Sequence, residues 1–163
     1  MRLGMLIAVI TISDRCSQGL MTDTAGPAVA ALVEREWPRA EIRAALLADD
    51  ENAIESKLRE LIEEEAALVL TVGGTGMGQR DRTPEATRRV IDREAPGLAE
   101  AMRVRGAERN PYAWLSRGVA GLRGETTIVN LPGSKRGAEE SLEAILELLR
   151  HALDVAAGTT YHP

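Results

Sequence analysis

A chain of 163 residues with 44% hydrophobic and 28% charged residues has the composition of a folded domain, not of a disordered segment. Its net charge of −5 argues against a general nucleic-acid or anionic-membrane surface, and with no Phe, two Trp and two Tyr it lacks stacking platforms for single-stranded nucleic acid. A single cysteine, Cys16, excludes an internal disulfide and a multi-thiolate metal centre.

The apolar stretch 5–12 is far shorter than the ~18 residues of a membrane span. It runs into Ser13, Asp14 and Arg15 without a small-residue cleavage pattern, so a cytoplasmic protein with no membrane partner is expected. The sequence shows no internal repeat, low-complexity segment or Pro/Gly/Ser linker, and residues 1–163 read as a single domain.

In chain order, residues 6–12 are apolar on both faces and rich in β-branched side chains, the pattern of a central parallel strand. A polar loop is expected over 13–22. Asp23 or Thr24 then caps a helix in which Val29, Leu32 and Val33 keep helical spacing. Residues 41–47 form a second strand that ends at Ala48, Asp49, Asp50 and Glu51. A helix over 52–65 follows, with Ile54, Leu58, Leu61 and Ile62 on one face. The apolar run 67–72 is a buried strand, and Thr83 with Pro84 reads as the N-cap and first turn of the next helix. Ala95, Pro96 and Gly97 break the chain, leaving two shorter helical pieces at 98–105 and 112–117 on either side of Asn110-Pro111. A last strand at 125–130 leads through the loop 131–137 into a helix over 138–156, whose Leu142, Ile145, Leu149 and Leu153 form one stripe. Alternating strands and helices imply an α/β domain with an open, mostly parallel sheet and helices on both faces. Ligands of such sheets sit beyond the carboxyl ends of the strands. The loops 13–22, 48–51, 73–82 and 131–137 all fit that position.

The most unusual of these loops is Gly73-Gly74-Thr75-Gly76-Met77-Gly78-Gln79-Arg80-Asp81-Arg82, with four glycines in six residues. Glycine permits positive φ and close approach of backbone to a ligand, so successive N–H groups can close around an anion. The helix that starts at Thr83 adds a partial positive charge. Two better-known phosphate motifs fail here. G-x-G-x-x-G begun at Gly74 meets Gln79 at its third glycine, and G-x-x-x-x-G-K-[ST] begun at Gly73 meets Gln79 and Arg80 after Gly78. The bland alternative is a tight connection without ligand, although ordinary βα loops are only about two to six residues long.

Asp49 and Asp81 each fall just past a strand end, so both can face one pocket. Two carboxylates there suit Mg²⁺, which takes one or two carboxylates together with phosphate and water. For Asp49 or Asp50 the alternative is a plain helix cap, and one of the pair can cap while the other meets the ligand. Arg15, Arg80, Arg82, Lys135 and Arg136 gather in the same loops of an acidic chain, which suits a polyanionic ligand, though each alone is an ordinary surface cation. Gly133 and Ser134 offer a second anion cradle before the last helix. Ser13 and Ser134 are hydroxyl donors or caps. His151, His162 and Cys16 provide no covalent relay, whereas direct in-line phosphoryl or nucleotidyl transfer needs none.

Ile12-Ser13-Asp14-Arg15, the pair Asp49-Asp50, residues 71–76, residues 80–86 (Arg-Asp-Arg-Thr-Pro-Glu-Ala) and Asn130-Leu131-Pro132-Gly133-Ser134 together resemble the MogA/MoaB family. The resemblance covers almost the whole chain. It implies molybdopterin adenylyltransferase activity: ATP and molybdopterin give adenylylated molybdopterin and pyrophosphate, with Mg²⁺ as cofactor, in molybdenum cofactor synthesis. It implies a homotrimer, in some members a hexamer, and the molybdate-insertion protein as a candidate partner. It marks Asp49 and Asp81 as catalytic and metal-holding aspartates. It also marks Ser13, Asp14, Arg15, Gly73, Gly74, Thr75, Gly76, Thr83, Pro132, Gly133 and Ser134 as substrate- and phosphate-binding residues. Two departures stand out: Lys135 replaces a proline frequent after the Gly-Ser pair, and Ala48 one frequent before the two aspartates. The alternatives are a non-catalytic pterin-binding paralogue and a trimeric scaffold module.

Overall fold

The computed structural model describes residues 4–159. Its elements in chain order are β1 (Leu6–Ile12), α1 (Asp14–Ser17), α2 (Ala25–Glu36), β2 (Glu41–Leu47), α3 (Glu51–Glu63), β3 (Leu68–Val72) and α4 (Thr83–Val90). There follow β4 (Arg93–Glu94), α5 (Pro96–Ala107), a 3-10 turn at Pro111–Leu115, β5 (Ala120–Arg123), β6 (Thr126–Leu131) and α6 (Lys135–Ala156). One six-stranded sheet has the order β2-β1-β3-β6-β5-β4. Its first four strands are parallel, and β5 and β4 run antiparallel at the far edge.

The strands β1, β3 and β6 are buried along their whole length, because helices cover both faces of the sheet. On one face Ile7, Val9, Leu70 and Val129 meet α2, α5 and α6, including the stripe of Leu142, Ile145, Leu149 and Leu153. On the other face Ala8, Ile10, Val69 and Ile128 meet Ile54, Leu58 and Leu61 of α3 and Ala86 and Val90 of α4. The expected open, mostly parallel α/β sheet is therefore the observed one. Among the described residues no helix is long and apolar enough to cross a membrane.

Local differences have local causes. The loop 13–22 contains α1, capped by Ser13 Oγ, which accepts the Cys16 N–H at 3.2 Å. Asp23 and Thr24 divide the work at α2. Thr24 holds the N-cap position without a side-chain bond, and Asp23 Oδ1 accepts the Gly26 N–H at 3.0 Å. Arg82, not Thr83, is the N-cap of α4, which leaves Thr83 as a buried first residue of the helix. The helix α5 starts at Pro96, where a proline costs no hydrogen bond, and α6 starts at Lys135 behind its cap Ser134. The strands β4 and β5 are too short to show a period in the sequence.

A buried polar web joins the sheet to α4. Asn130 Nδ2 donates to Thr71 Oγ1 and Thr87 Oγ1, both at 2.9 Å, and Asn130 Oδ1 accepts the Val119 N–H at 3.2 Å. Thr87 Oγ1 in turn donates to Thr83 O at 2.9 Å. Asn130 is 1% exposed, so removal of the amide would take a buried partner from the Val119 N–H, Thr71 Oγ1 and Thr87 Oγ1, of which Thr87 keeps its bond to Thr83 O. Asn130→Ala is expected to cost about 2–4 kcal/mol in urea unfolding, the range for stranding buried polar groups; a loss below about 0.5 kcal/mol would show that the web relaxes without it.

Candidate active site

The register of the parallel strands brings the loops together. Ile12 is level with Leu47, Thr11 with Val72, and Val72 with Leu131, so β1, β2, β3 and β6 all end on one rim. The next residues in each chain segment are Ser13-Asp14, Asp49, Gly73 and Pro132-Gly133. Parallel strand polarity alone thus assembles four of the sequence-predicted loops.

The glycine loop is folded tightly against this rim. Gly73 has φ +111°, and a Cβ there would lie 2.2 Å from Ile12 O. Gly74 has φ +65°, and its Cβ would lie 2.2 Å from Thr83 Oγ1 and 3.1 Å from Asp49 Oδ1. Only glycine tolerates both the dihedral and the contact. From beneath, Thr83 Oγ1 donates to Gly73 O at 3.0 Å, and Thr83 N donates to Gly74 O at 3.1 Å. Thr83 is fully buried, and its hydroxyl and N–H are both spent on the loop backbone. Asp81 Oδ2 accepts the Gly78 N–H at 2.8 Å and would lie 2.9 Å from a Cβ on Gly76. Asp49 and Asp81 therefore abut the same short piece of backbone, Gly74 to Gly76. The N–H groups of Gly74, Thr75, Gly76 and Met77 meet no acceptor among the described residues. Four consecutive backbone donors thus lie beside two carboxylates, an arrangement that can serve an anion and a cation together.

Asp49 is held by a reciprocal clasp. Asp14 N donates to Asp49 Oδ2 at 2.9 Å, and Asp49 N donates to Asp14 Oδ1 at 3.0 Å. Arg80 covers Asp14 with two bonds of 2.9 Å each, a bidentate pair that lowers the Asp14 carboxyl below its usual range, helped by the Asp49 N–H. Burial pushes Asp49 above the ordinary aspartate range; the Asp14 N–H opposes this, and the negative charges of Asp14 and Asp81 add to the rise. Asp50 takes the capping role, with Oδ1 accepting the Ala53 N–H at 2.7 Å, which leaves Asp49 to face the glycine loop. The pair thus divides as one cap and one site carboxylate.

Beside the cradle opens a cavity of about 490 Å³. Its sequence-predicted wall is Gly74, Thr75, Gly76 and Asp81 on one side and Pro132, Gly133 and Ser134 on the other. Ser134 Oγ also accepts the Gly137 N–H at 3.1 Å, so it both caps α6 and lines the opening. Asp14, Asp49 and Arg80 adjoin the glycine loop but lie outside the cavity wall, while Ser13 is occupied as a cap and Arg15 is exposed. Of the loop cations, Arg82 pairs with Glu51 at 2.9 Å and Arg136 with Glu140 at 2.8 Å, Arg136 also lining the cavity.

The remaining wall escaped sequence reasoning. Much of it comes from α5, the 3-10 turn and the link between them, with Met102, Arg103, Arg109, Tyr112 and Leu115. Tyr112 and Trp114 are 75% and 58% exposed, large side chains turned out from this turn. A signal existed: this segment holds two of the chain's four aromatic residues. Arg117, also unassigned from sequence, donates through Nε to Gly76 O at 2.7 Å and through Nη2 to Asp81 O at 2.6 Å, and it pairs with Glu85.

Residues 8–151 match the family model described as a probable molybdopterin binding domain. The chain belongs to that family. Its molybdopterin-binding-domain relatives include the molybdopterin adenylyltransferase of Helicobacter pylori J99, 38% identical over 154 residues that cover 93% of this chain and 88% of the relative. The molybdenum cofactor synthesis protein cinnamon of Drosophila melanogaster is 39% identical over 146 residues, 89% of this chain, but the match spans only 24% of that much longer protein. Among solved structures, the molybdopterin biosynthesis enzyme MoaB of Thermus thermophilus is 44% identical and superposes with a TM-score of 0.86, covering 97% of this chain and 99% of that one.

A carboxyl that titrates higher in the folded chain than in the unfolded one weakens the fold once it is ionised. For Asp49 that cost is absent below the ordinary aspartate range, where both states are protonated, and grows as pH rises from there through the raised folded-state value. Asp49→Asn is therefore expected to melt about 2–4 °C higher than wild type at pH 7, with the gap closing as pH falls through the acid range. Equal melting temperatures at pH 7 would show that ionised Asp49 carries no such cost.

Proposed function

We propose that this family member is a molybdopterin adenylyltransferase, transferring AMP from ATP to the terminal phosphate of molybdopterin in molybdenum cofactor biosynthesis. The observation that carries the reading is the placement of Asp49 and Asp81 against a stretch of backbone, Gly74 to Gly76, whose N–H groups meet no acceptor among the described residues, beside a cavity of substrate size. The adenylyltransferase relatives, at 38% identity for the Helicobacter protein, support it.

The reaction needs no covalent enzyme intermediate. An oxygen of the terminal phosphate of molybdopterin forms a bond to the α-phosphorus of ATP, and the bond from that phosphorus to the bridging oxygen breaks, releasing pyrophosphate. What the chain supplies is position and charge. The N–H groups of Gly74, Thr75, Gly76 and Met77 hold phosphate oxygens. Arg103, Arg109 and Arg136 bring positive charge to the cavity, and Gly133 and Ser134 close its other lip at the start of α6.

The residues fit Mg²⁺. Asp49 is raised partly by the charges of Asp14 and Asp81, a repulsion that a divalent cation relieves. Among the described residues no cluster of three or more His, Cys, Asp or Glu side chains forms a self-sufficient cage, so Asp81 and Asp49 would hold the ion together with phosphate oxygens and water. Bound there, magnesium supplies charge neutralisation for the departing pyrophosphate. To the same reading belong one domain, a homotrimer or hexamer, a cytoplasmic location and transfer of the product to a molybdate-insertion protein.

Asp81→Ala is expected to lower AMP transfer on the order of 10³-fold, as loss of a charge-stabilising group does, while its circular dichroism and melting stay near wild type. Pyrophosphate release from ATP should depend on added molybdopterin. Near-normal turnover in folded Asp81→Ala would remove that carboxylate from the chemistry. A wild-type chain that binds molybdopterin without releasing pyrophosphate would instead be a non-catalytic paralogue.

A further inference from the structure

The glycine loop has no regular secondary structure over residues 75–81, yet its donors must point one way for a cradle to exist. The side chain that meets this requirement lies about forty residues further on, and no motif in the sequence singles it out. Segment 116–119 is pinned from several sides. Arg103 Nη1, on α5, donates to Ser116 O at 3.3 Å and to Gly118 O at 3.0 Å. Val119 N donates to Asn130 Oδ1 at 3.2 Å, Asn130 N donates to Val119 O at 3.0 Å, and Gly118 N donates to Ser116 Oγ at 3.3 Å.

From that fixed base Arg117 engages the loop at three carbonyls. Its backbone N donates to Thr75 O at 2.8 Å, Nε to Gly76 O at 2.7 Å and Nη2 to Asp81 O at 2.6 Å, while Nη1 binds the Glu85 carboxylate. Glu85 stands in the first turn of α4, directly behind the loop. In a trans peptide the C=O and the following N–H point in opposite directions. With Thr75 O turned onto the Arg117 backbone N–H and Gly76 O onto its guanidinium, the N–H groups of Gly76 and Met77 face away from Arg117; the side chain itself sets the Met77 N–H. The same bond to Asp81 O fixes the backbone that carries the Asp81 carboxylate.

We propose that Arg117, with Glu85 as its counter-ion, is a positioning residue for adenylyl transfer: it sets the direction of the cradle donors and the placement of Asp81 without touching substrate. The proposal rests on the adenylyltransferase reading above. A planar guanidinium with several fixed N–H directions can serve these three acceptors at once, whereas a lysine ammonium at the end of a flexible stem cannot.

The test measures kcat, KM for ATP and for molybdopterin, and melting temperature for wild type, Arg117→Ala, Arg117→Lys, Glu85→Gln and Asp81→Ala. Arg117→Ala is expected to lose about 30–100-fold in kcat, the scale of an ångström-sized misplacement, with each KM changed by less than about threefold. Arg117→Lys should recover little of this, and millimolar guanidinium added to Arg117→Ala should restore kcat about tenfold by refilling the three acceptors. Should Arg117→Ala fail to fold, Glu85→Gln carries the test, with an expected kcat loss of about 3–10-fold at an unchanged melting temperature. A kcat within about twofold of wild type in folded Arg117→Ala, or full activity of Arg117→Lys, overturns the proposal. So does a loss that guanidinium does not relieve and that follows the drop in melting temperature. If wild type is active and Asp81→Ala inactive while Arg117→Ala keeps its rate, only this inference fails. If wild type transfers no AMP, the functional reading fails and takes this one with it.

Discussion

The contact on which the rest of the site depends is between two pieces of backbone, Gly73 and the carbonyl of Ile12. A Cβ at Gly73 would sit 2.2 Å from that oxygen, so any other residue would force β1 and the loop after β3 apart. Gly73 N also donates to Leu131 O at 3.0 Å, which ties the same residue to the end of β6. Three strand ends thus converge on one glycine. The two aspartates inherit their proximity from this convergence, because Asp49 is clasped to the segment after β1 and Asp81 to the loop after β3.

For an acidic protein, the polyphosphate chemistry proposed above has to be met by local charge. Here four of the cations near the rim are paired with carboxylates: Arg80 with Asp14, Arg82 with Glu51, Arg117 with Glu85, Arg136 with Glu140. Most of these pairs are substantially solvent-exposed and add little to stability. Their value lies in geometry, since bidentate and forked contacts fix side-chain direction. Asp49 is the exception to charge balance, raised by burial and by its acidic neighbours. A carboxylate kept at such a charge cost beside the glycine loop is what the magnesium of the proposed reaction would relieve.

The sequence made the central architecture legible because β1, β3 and β6 are apolar on both faces and α6 shows a clean stripe. The loops were legible through glycine density and through aspartates placed after strand ends. What stayed hidden depends on long-range pairing. The strands β4 and β5 are short and borrow their partners from elsewhere, so no local period announces them. Arg117 looks like any surface arginine until the chain brings it back onto residues 75–81. The division between Asp49 and Asp50 was visible as a choice, and the cap bond to Ala53 decides it. Thr83 was misplaced by one position because Thr-Pro imitates a cap, while its hydroxyl is in fact turned inward to Gly73 O.

The aromatic poverty of the chain leaves it with only two indoles, and the fold has put them in opposite environments. Trp37 is 6% exposed in the core at the end of α2, whereas Trp114 is 58% exposed on the 3-10 turn that flanks the cavity. Intrinsic emission from this protein therefore carries two separable colours, a blue one that reports collapse of the core and a red one that reports events at the mouth of the site.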